Sequence, residues 1–358
     1  MIRIPFATTF FLFVFCSTLL HGQPAYYSSI DFSQTGDDLK AQLSELITNT
    51  HTAFIPYTAQ STDTWDILSI SDLEFSTSDN VLLVYGYDNN DGMFISDRLR
   101  GVFEKCNFSG CTGTAGLWNR EHVFAKSLAN PSLETNFPGP GTDVHNLRAA
   151  DSQKNTQRSN RLFIDDSGVD SRIINGDYFY PGDEWKGDVA RIIMYMYLRY
   201  PSQCEAVNSA TGPVTYAENN DMPDVLLEWN AEDPVSNFEL YRNDIIHSYQ
   251  GNRNPFIDNP YLATLIWGGP SANDSWGINK KTYYQNIEVY PVVCEEVLFL
   301  KNHTDDEPLF YTIKNNYGEL IQSGETYNSI PIRIDSQGAY VLTLGEGEFK
   351  KSTTIFVQ

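Results

Sequence analysis

An α+β protein is predicted from a change in hydrophobic pattern close to residue 290. Before that point, apolar residues recur at helical spacing in several segments, and one short run at 81–87 has the β-branched and aromatic composition of a strand. After it, helical periodicity stops and short alternating runs are separated by turn residues. We therefore expect a large domain of mixed helices and short strands at 23–290, followed by a small β-sandwich at 295–358.

The first 22 residues have the composition of a secretory signal peptide. A single early cation, Arg3, precedes a short apolar run that ends in small or polar residues at His21 and Gly22. This run is shorter than the roughly 20 residues that a membrane-spanning helix needs, and no later segment reaches that length. We expect cleavage rather than membrane anchoring, and a soluble secreted product at residues 23–358.

The elements of the large domain follow from spacing and composition. Leu39, Leu43 and Ile47 fall on one face of an amphipathic helix, and a second apolar segment is closed by Pro201, which cannot continue a helix. The strand at 81–87 runs into an Asp-, Asn- and Gly-rich turn. The predicted helices span 37–47, 188–200, 226–229 and 234–250.

The C-terminal part contains three alternating apolar runs. They lie at 309–313, 330–334 and 339–344, and Gly- and Asn-containing turns separate them. Alternation with a period of two is typical of strands that bury one face, so these runs predict the strands of the sandwich.

The cysteines favour disulfides over a metal site. Cys106, Cys111, Cys204 and Cys294 remain after the signal peptide, an even number in a chain bound for an oxidising compartment. Cys106 and Cys111 enclose four residues and could close a tight loop, which leaves Cys204 and Cys294 as the remaining pair. A zinc site is the rival interpretation, but no His or Cys partners stand at ligand spacing around these four.

The segments at 118–127, 141–151 and 154–160 carry the most chemistry. They bring a histidine, a carboxylate, amide oxygens and several arginines into about forty residues. Hydrolysis of a phosphodiester requires a neutral imidazole to take a proton from water, a hard cation to hold the phosphate, and guanidinium groups to offset charge. His122, Glu121 and Asn155 could supply the base and the ligands.

The same segments resemble the endonuclease I family, which belongs to the ββα-metal, or His-Me finger, nucleases. The resemblance extends over residues 24–285 and includes the Arg-Glu-His sequence at 120–122 and the Asn-Thr-Gln-Arg-Ser-Asn sequence at 155–160. It implies a ββα-metal nuclease domain that hydrolyses DNA, with RNA as a further substrate, without sequence preference and with 5′-phosphate products. Mg²⁺ is the implied cofactor, with Mn²⁺ or Ca²⁺ as substitutes.

The resemblance also implies a role for each polar residue of these segments. His122 would be the general base, and Glu121 and Asn155 would hold a single Mg²⁺ ion. Arg158 would lie close to the phosphate, and Arg253 would lie close to the leaving group. The remaining assignments are Arg120 and Arg148 to substrate phosphate, and His145 and Asn160 to support around the site.

Two positions depart from the family pattern. Asn146 stands where many relatives have a second histidine, and Ala149 stands where proline is usual. Neither change touches the proposed base or ligands. The departures bear on the surroundings of His145, which is expected to orient its loop.

The charge distribution is uneven for a protein that binds a polyanion. The formal net charge is -22, whereas residues 98–161 contain nine Lys and Arg against five Asp and Glu, a local charge of +4. Because phosphate contacts supply most of the affinity for nucleic acid, we expect binding through this basic strip and weak long-range attraction.

The C-terminal segment from about residue 295 resembles the sorting domains of cargo of the type IX secretion system. The Gly-Ala-Tyr-Val-Leu sequence at 338–342 and the terminal apolar strand carry this likeness. It implies secretion machinery as a partner, and an accessory sandwich that binds a ligand or surface is the alternative.

We expect a secreted, monomeric, Mg²⁺-dependent endonuclease without a membrane span. The alternative is a secreted binding or adhesion protein that keeps the fold without turnover, as the net charge and the C-terminal sandwich would allow.

Overall fold

A computed structural model of the chain describes residues 25–74, 79–303, 308–347 and 349–358, except the side chains at 280–282. The predicted signal peptide at 1–22 lies outside these ranges. Helices and strands are mixed along the first three quarters of the chain and strands alone follow, so the predicted α+β composition is confirmed.

The predicted helices are all present. The segments predicted at 37–47, 188–200, 226–229 and 234–250 form α1, α4, α5 and α6, and five further helices of four to nine residues are added among the described residues. The helices are α1 (Gly36–Asn49), α2 (Thr64–Ser71), α3 (Ser152–Arg158), α4 (Lys186–Arg199), α5 (Asp224–Glu232), α6 (Asn237–Gln250), α7 (Pro255–Asp258), α8 (Tyr261–Trp267) and α9 (Ile278–Asn286).

Most strands in the first 290 residues are short, and longer ones follow. Those of the first part are β1 (Asn80–Leu82), β2 (Leu99–Gly101), β3 (Trp118–His122), β4 (Leu147–Asp151), β5 (Leu162–Phe163), β6 (Arg172–Ile174), β7 (Tyr178–Tyr180) and β8 (Glu288–Tyr290). They are followed by β9 (Val293–Cys294), β10 (Val297–Lys301), β11 (Leu309–Lys314), β12 (Leu320–Thr326), β13 (Ser329–Pro331), β14 (Gly338–Glu346) and β15 (Phe349–Val357).

The strand predicted at 81–87 is shorter than expected. Pairing ends at Leu82 with an isolated bridge at Val84, and the chain turns at Tyr85, whose φ is 72°. A Cβ on Gly86 would lie 2.2 Å from the carbonyl oxygen of Asp97, so the turn is packed closely against the neighbouring loop. The run is apolar because this turn is buried, and an apolar run by itself does not separate a buried strand from a buried turn.

Two antiparallel strands and a helix form one unit around the most polar sequence segments. β3 pairs with β4 in the register His122 to Leu147 and Trp118 to Asp151. α3 begins immediately after β4, because the Asp151 carboxylate accepts hydrogen bonds from the first free backbone N–H groups of the helix, at Gln153 (2.8 Å) and Lys154 (3.0 Å). The β3–β4–α3 unit therefore has a fixed geometry.

The apolar core is divided along the chain. One large cluster surrounds α4, and a smaller one lies between α2, α6 and the β3–β4 pair. A third cluster lies between two C-terminal sheets with strand orders β13-β10-β8 and β12-β11-β14-β15-β9. The predicted C-terminal sheets are thus present, although the run at 330–334 contributes only the short β13.

One of the two predicted cysteine pairs is formed and the other is not. The Cys106–Cys111 disulfide is formed, with the two Cα atoms 5.4 Å apart, and this prediction is confirmed. Cys204 and Cys294 are free and buried in different apolar clusters, so the predicted second pair is wrong. Pairing by elimination fails here because both thiols are buried among apolar side chains. Free cysteines are common in such places, so neither thiol needs a disulfide partner.

The helices of the described ranges are too short or too polar to cross a bilayer.

Candidate active site

A polar cleft of about 370 Å³ opens beside the β3–β4–α3 unit. The end of β3, the turn after it and the C-terminal end of α3 supply its walls. Its lining residues are Arg120, Glu121, His122, Ala125, Lys126, Ser127, Asn155, Ser159 and Asn160. The sequence-predicted base and both predicted metal ligands therefore share one cleft.

His122 has one side fixed by a backbone carbonyl. Its Nε2 lies 2.8 Å from the carbonyl oxygen of Gly141. Because a carbonyl only accepts, Nε2 carries the proton and Nδ1 keeps its lone pair. The ring also stacks on Tyr57, with centroids 5.7 Å apart. Burial lowers the pKa of His122 to about 4, so the imidazole is neutral at neutral pH.

Gly141 is required where it orients His122. A Cβ at this position would lie 2.1 Å from the carbonyl oxygen of Glu134, closer than real Cβ contacts allow. The turn at Pro140–Thr142 can therefore approach the 134 segment only with glycine. Its carbonyl is held at the imidazole as a result.

Glu121 is a buried carboxylate with incomplete compensation. Its Oε1 accepts from the Tyr85 hydroxyl at 3.1 Å and lies 3.5 Å from Nε of Arg158. Burial raises the pKa of Glu121 to about 7, against the lowering effects of Arg158 and the Tyr85 hydrogen bond. A cation bound to this carboxylate would supply the missing charge.

Asn155 is oriented by a residue that sequence reasoning did not single out. Its Nδ2 donates to Oδ1 of Asn119 at 2.7 Å, which leaves the amide oxygen of Asn155 available as a ligand. Asn119 stands two residues before Glu121 on β3, and side chains two apart share a face of a strand. The two-residue spacing between Asn119 and Glu121 could therefore have identified Asn119 from the sequence.

Arg158 lies beneath the cleft rather than in it. The side chain is fully buried and donates to the carbonyl oxygens of Val123 (2.7 Å) and Ser159 (3.0 Å), while its Nε faces Glu121. The predicted contact with phosphate does not agree with this placement. Arg158 instead holds the backbone after β3 and partly neutralises Glu121.

Arg148 and Arg253 are also engaged elsewhere. Arg148 is buried on β4, with Nε 3.2 Å from Asp72 and Nη1 2.6 Å from Asp188. Arg253 forms a two-point contact with Asp258, with both N–O distances 2.7 Å. Neither lines the cleft, and the predicted contacts with phosphate and leaving group do not agree with these placements. The ion pairs compensate the buried guanidinium of Arg148 and the half-buried one of Arg253.

Arg120 and Asn160 do line the cleft. The Arg120 guanidinium stacks 3.4 Å from the Tyr57 ring centroid and donates to the Tyr57 carbonyl and to Thr64 Oγ1. It therefore fixes the loop whose Tyr57 ring covers His122. Asn160 is exposed, and its Nδ2 donates to Ser127 Oγ at 3.2 Å across the cleft.

His145 lies in a buried polar cluster outside the cleft. Its backbone N–H donates to Asp143 at 3.0 Å, its ring packs 4.4 Å from Tyr195, and burial lowers its pKa to about 3. Asn146, where many relatives have histidine, exchanges two side-chain hydrogen bonds with the backbone of Phe124, at 2.7 and 3.1 Å. This amide ties the turn before β4 to the segment after His122.

Comparison with known proteins decides the family. The family model described as Endonuclease I matches residues 35–261 of the chain. The chain is 38% identical over 253 residues to an extracellular ribonuclease of Bacillus subtilis (strain 168), and 36% identical over 257 residues to an extracellular ribonuclease of Bacillus amyloliquefaciens. Each of these alignments covers 68% of this chain and 78% of the relative.

The chain belongs to the endonuclease I family. A third relative, Endonuclease-1 of Buchnera aphidicola subsp. Baizongia pistaciae (strain Bp), is 26% identical over 135 residues, which cover 34% of this chain and 48% of the relative. The protein is accordingly a nuclease, a hydrolase of phosphodiester bonds, and its substrate is nucleic acid. The predicted enzyme class is confirmed, and a protein without turnover is disfavoured.

Members of the endonuclease I family are generally metal-dependent. Within the described ranges no group of three or more His, Cys, Asp or Glu could hold a metal ion. The predicted donor set of Glu121 and Asn155 has one carboxylate and one amide oxygen. This set fits Mg²⁺, which binds hard oxygen ligands and usually keeps several waters and substrate oxygens around it.

Lys126 is a cleft residue that the family resemblance did not identify. It is exposed on the turn after β3, and no ion pair to it is found among the described residues. In this endonuclease I chain most of the arginines of the basic strip are tied to carboxylates or carbonyls, so Lys126 is the cleft cation that faces solvent. Four of the nine cations of the predicted basic strip, Arg100, Arg148, Lys154 and Arg158, are buried, so the strip presents fewer cations to solvent than its sequence suggests.

Proposed function

We propose that this endonuclease I family member is a secreted, Mg²⁺-dependent nuclease that hydrolyses DNA and RNA without sequence preference. One observation carries the proposal: a neutral imidazole with a fixed tautomer shares a cleft with a carboxylate and an oriented amide oxygen. His122 is the general base, and Glu121 and Asn155 hold the cation.

His122 takes the proton of the attacking water at Nδ1. The Gly141 carbonyl keeps the proton on Nε2 and stabilises the positive charge that forms on the ring. Tyr57 limits the ring to one orientation by stacking on it. The water is thus activated from one side of the phosphate, and its attack leaves 5′-phosphate ends.

Glu121 and Asn155 together supply a charged and a neutral oxygen ligand. When bound, Mg²⁺ contributes Lewis-acid polarisation of the phosphate and stabilises the departing 3′ oxygen. Arg158 and Tyr85 keep the Glu121 carboxylate in place from the protein side. Their contacts favour its ionised form, which a hard cation requires.

The composition of the cleft supports broad substrate use. The side chains that line it are mainly charged groups, amides and hydroxyls, which can contact the sugar–phosphate backbone, and backbone contacts carry no sequence information. Two relatives at 36–38% identity are extracellular ribonucleases, which supports RNA beside DNA.

The β3–β4–α3 unit supports assignment to the ββα-metal, or His-Me finger, class. The proposed base ends the first strand and the second ligand lies on the helix, with the two strands antiparallel. We assign the nuclease domain to 23–290, secretion to a signal peptide at 1–22, and the sandwich at 295–358 to type IX sorting. The extracellular relatives support secretion, and the nuclease is expected to act as a monomer.

Plasmid DNA and a structured RNA test the proposal directly. The purified protein should nick the plasmid and cleave the RNA with Mg²⁺, lose both activities with a chelator, and regain them when Mg²⁺ is returned. Product ends should accept a label from polynucleotide kinase only after phosphatase treatment. Turnover that persists with chelator, or products with 3′-phosphate ends, would contradict the proposed chemistry.

A further inference from the structure

A second depression of about 340 Å³ continues from the catalytic cleft. Ser159 and Asn160 line both depressions, so the two form one groove with these residues at the junction. Leu128, at the end of the turn that begins at Lys126, forms part of the second wall. The remaining lining residues are Arg161, Leu162, Gly176 and Asp177.

We propose that this groove binds the substrate backbone beyond the scissile phosphate, with Lys126 in the catalytic cleft and Arg161 in the second depression each binding a phosphate of an adjacent nucleotide. The inference rests on the proposed function, because it places the substrate strand in the cleft of His122. It adds the direction in which the strand leaves that cleft, past Ser159 and Asn160 toward Arg161.

The junction of the groove has a constrained backbone. Ser159 adopts φ 51°, in the left-handed region that residues with a side chain rarely occupy. Nη1 of buried Arg158 donates to the Ser159 carbonyl at 3.0 Å and stabilises this bend. Such backbone strain persists where the surroundings enforce it, and it frequently marks a binding site. Here the bend ends α3 and leaves Ser159 and Asn160 exposed between the two depressions.

Arg161 is held in place without being neutralised. Its Nε donates to the Gly176 carbonyl at 2.8 Å and its Nη1 to the Gln157 carbonyl at 2.6 Å. No ion pair of this side chain is found among the described residues. The guanidinium therefore keeps its full charge at a half-exposed position, in contrast to Arg148 and Arg253.

The charge of the groove differs from that of the chain. Its charged lining residues are three cations, Arg120, Lys126 and Arg161, and two acids, Glu121 and Asp177. The groove is locally positive on a chain of formal charge -22. Each phosphate contact releases a counterion, so each should raise the salt dependence of single-strand binding by about 0.7 in the slope of log K against log salt.

Binding measured against salt tests this subsite. The probe is a fluorescein-labelled single-stranded oligonucleotide, titrated by anisotropy with full-length His122→Ala protein so that it is not cut. Adding Lys126→Gln or Arg161→Gln should each lower the slope by about 0.7, and Arg161→Lys should retain it. Lys301→Gln is the matched control, because it makes the same charge change at an exposed ion pair with Glu288 in the C-terminal sheets.

The outcomes separate the subsite from the catalytic proposal. Unchanged slopes in both glutamine variants, with normal thermal unfolding, would overturn the subsite while leaving the proposed base intact. An equal decrease in Lys301→Gln would also overturn it, since the effect would then come from net charge alone. The catalytic proposal is judged separately, by whether His122→Ala still cleaves the same oligonucleotide with Mg²⁺.

Discussion

Glu121 and His122 are neighbours on β3, yet burial acts on them in opposite directions. It raises the pKa of the carboxyl to about 7 and lowers that of the imidazole to about 4. Both shifts disfavour charge. The imidazole gains from this because a base must be neutral, whereas the carboxylate needs a nearby cation to stay ionised. The two residues should therefore respond differently to metal concentration.

His122→Ala and Glu121→Ala should both be nearly inactive, but only the second should respond to added metal. Loss of a general base typically costs about 10²- to 10⁴-fold in rate, and no other histidine lines the cleft in the described part of the chain. Glu121→Ala should need more Mg²⁺ and recover partly at high concentration, because Asn155 remains. Rates measured across a Mg²⁺ titration decide between the two responses.

Two results would contradict these roles. Recovery of His122→Ala by Mg²⁺ would show that the imidazole acts through the cation. Wild-type metal dependence in Glu121→Ala would show that the carboxylate is not a ligand. Oligonucleotide binding should persist in His122→Ala, because Lys126 and Arg161 are unchanged.

That His122, Glu121 and Asn155 share one cleft was predictable from sequence, whereas the surroundings of the arginines were not. His122, Glu121 and Asn155 lie within a short segment, so local order brings them close together. The predicted role of Arg148 failed because its partners, Asp72 and Asp188, come from distant segments and remove it from the surface. Sequence gives the charge of a side chain but not the strand face on which it is buried.

Among the elements, the turn at Val144–Asn146 links the β3–β4 pair to a buried polar cluster. Asp143 at its start accepts from the hydroxyls of Tyr195 (2.8 Å) and Tyr200 (2.9 Å), and from the His145 backbone. Desolvation at His145 opposes protonation more strongly than the nearby carboxylate favours it, which lowers its pKa to about 3. The turn is consequently sensitive to acid.

We predict that the nuclease part loses stability below about pH 6.5 and that His145→Gln makes this loss shallower. The unfolded chain protonates His145 near its ordinary pKa of 6.5, whereas the folded chain does so only near 3. Between these values the unfolded state binds one more proton, so falling pH lowers the free energy of unfolding by about 1.4 kcal/mol per pH unit.

Tryptophan fluorescence during urea unfolding at several pH values measures this effect. All six tryptophans lie between residues 65 and 276, so the signal excludes the C-terminal sheets. The variant is expected to be less stable at neutral pH, where it loses the contact with Tyr195, and to approach wild type in acid. Parallel pH profiles for the two proteins would disprove the assignment to His145.

Regular helices were predictable because their apolar spacing is a local property. The segments of α1, α4 and α6 each bury one face or all faces against neighbours, and the spacing records this. The strand predicted at 81–87 is longer than the observed one, because a buried turn has the same apolar composition as a buried strand. The bend at Tyr85 depends on contacts with the loop at Asp97, which no local pattern encodes.

Over the whole molecule, the candidate site and the C-terminal sheets are far apart in sequence and have separate apolar clusters. The cleft is built from residues 120–160, whereas the third cluster is formed by residues 287–357. They are connected through α9, where the Phe349 ring lies over Gly277 and Lys351 donates to the carbonyl of Gln285 at 2.7 Å. The sheets therefore cover α9 but contribute nothing to the lining of the cleft.

Ending the chain after Cys294 should leave nuclease activity unchanged and remove the secretion signal proposed for the sandwich. The kcat and KM on duplex DNA should match the full chain, because every lining residue of the cleft is retained. A small decrease in thermal stability is expected, since α9 loses its contacts with β15. A chain ending before Ile278 is the stricter control, because it also takes Ile278 from the main apolar cluster and should lose more stability.

Failure of the first shortened chain to turn over, with an intact tryptophan unfolding transition, would show that the sheets support the active site. Release of the shortened chain from its native host as efficiently as the full chain would exclude the sorting role.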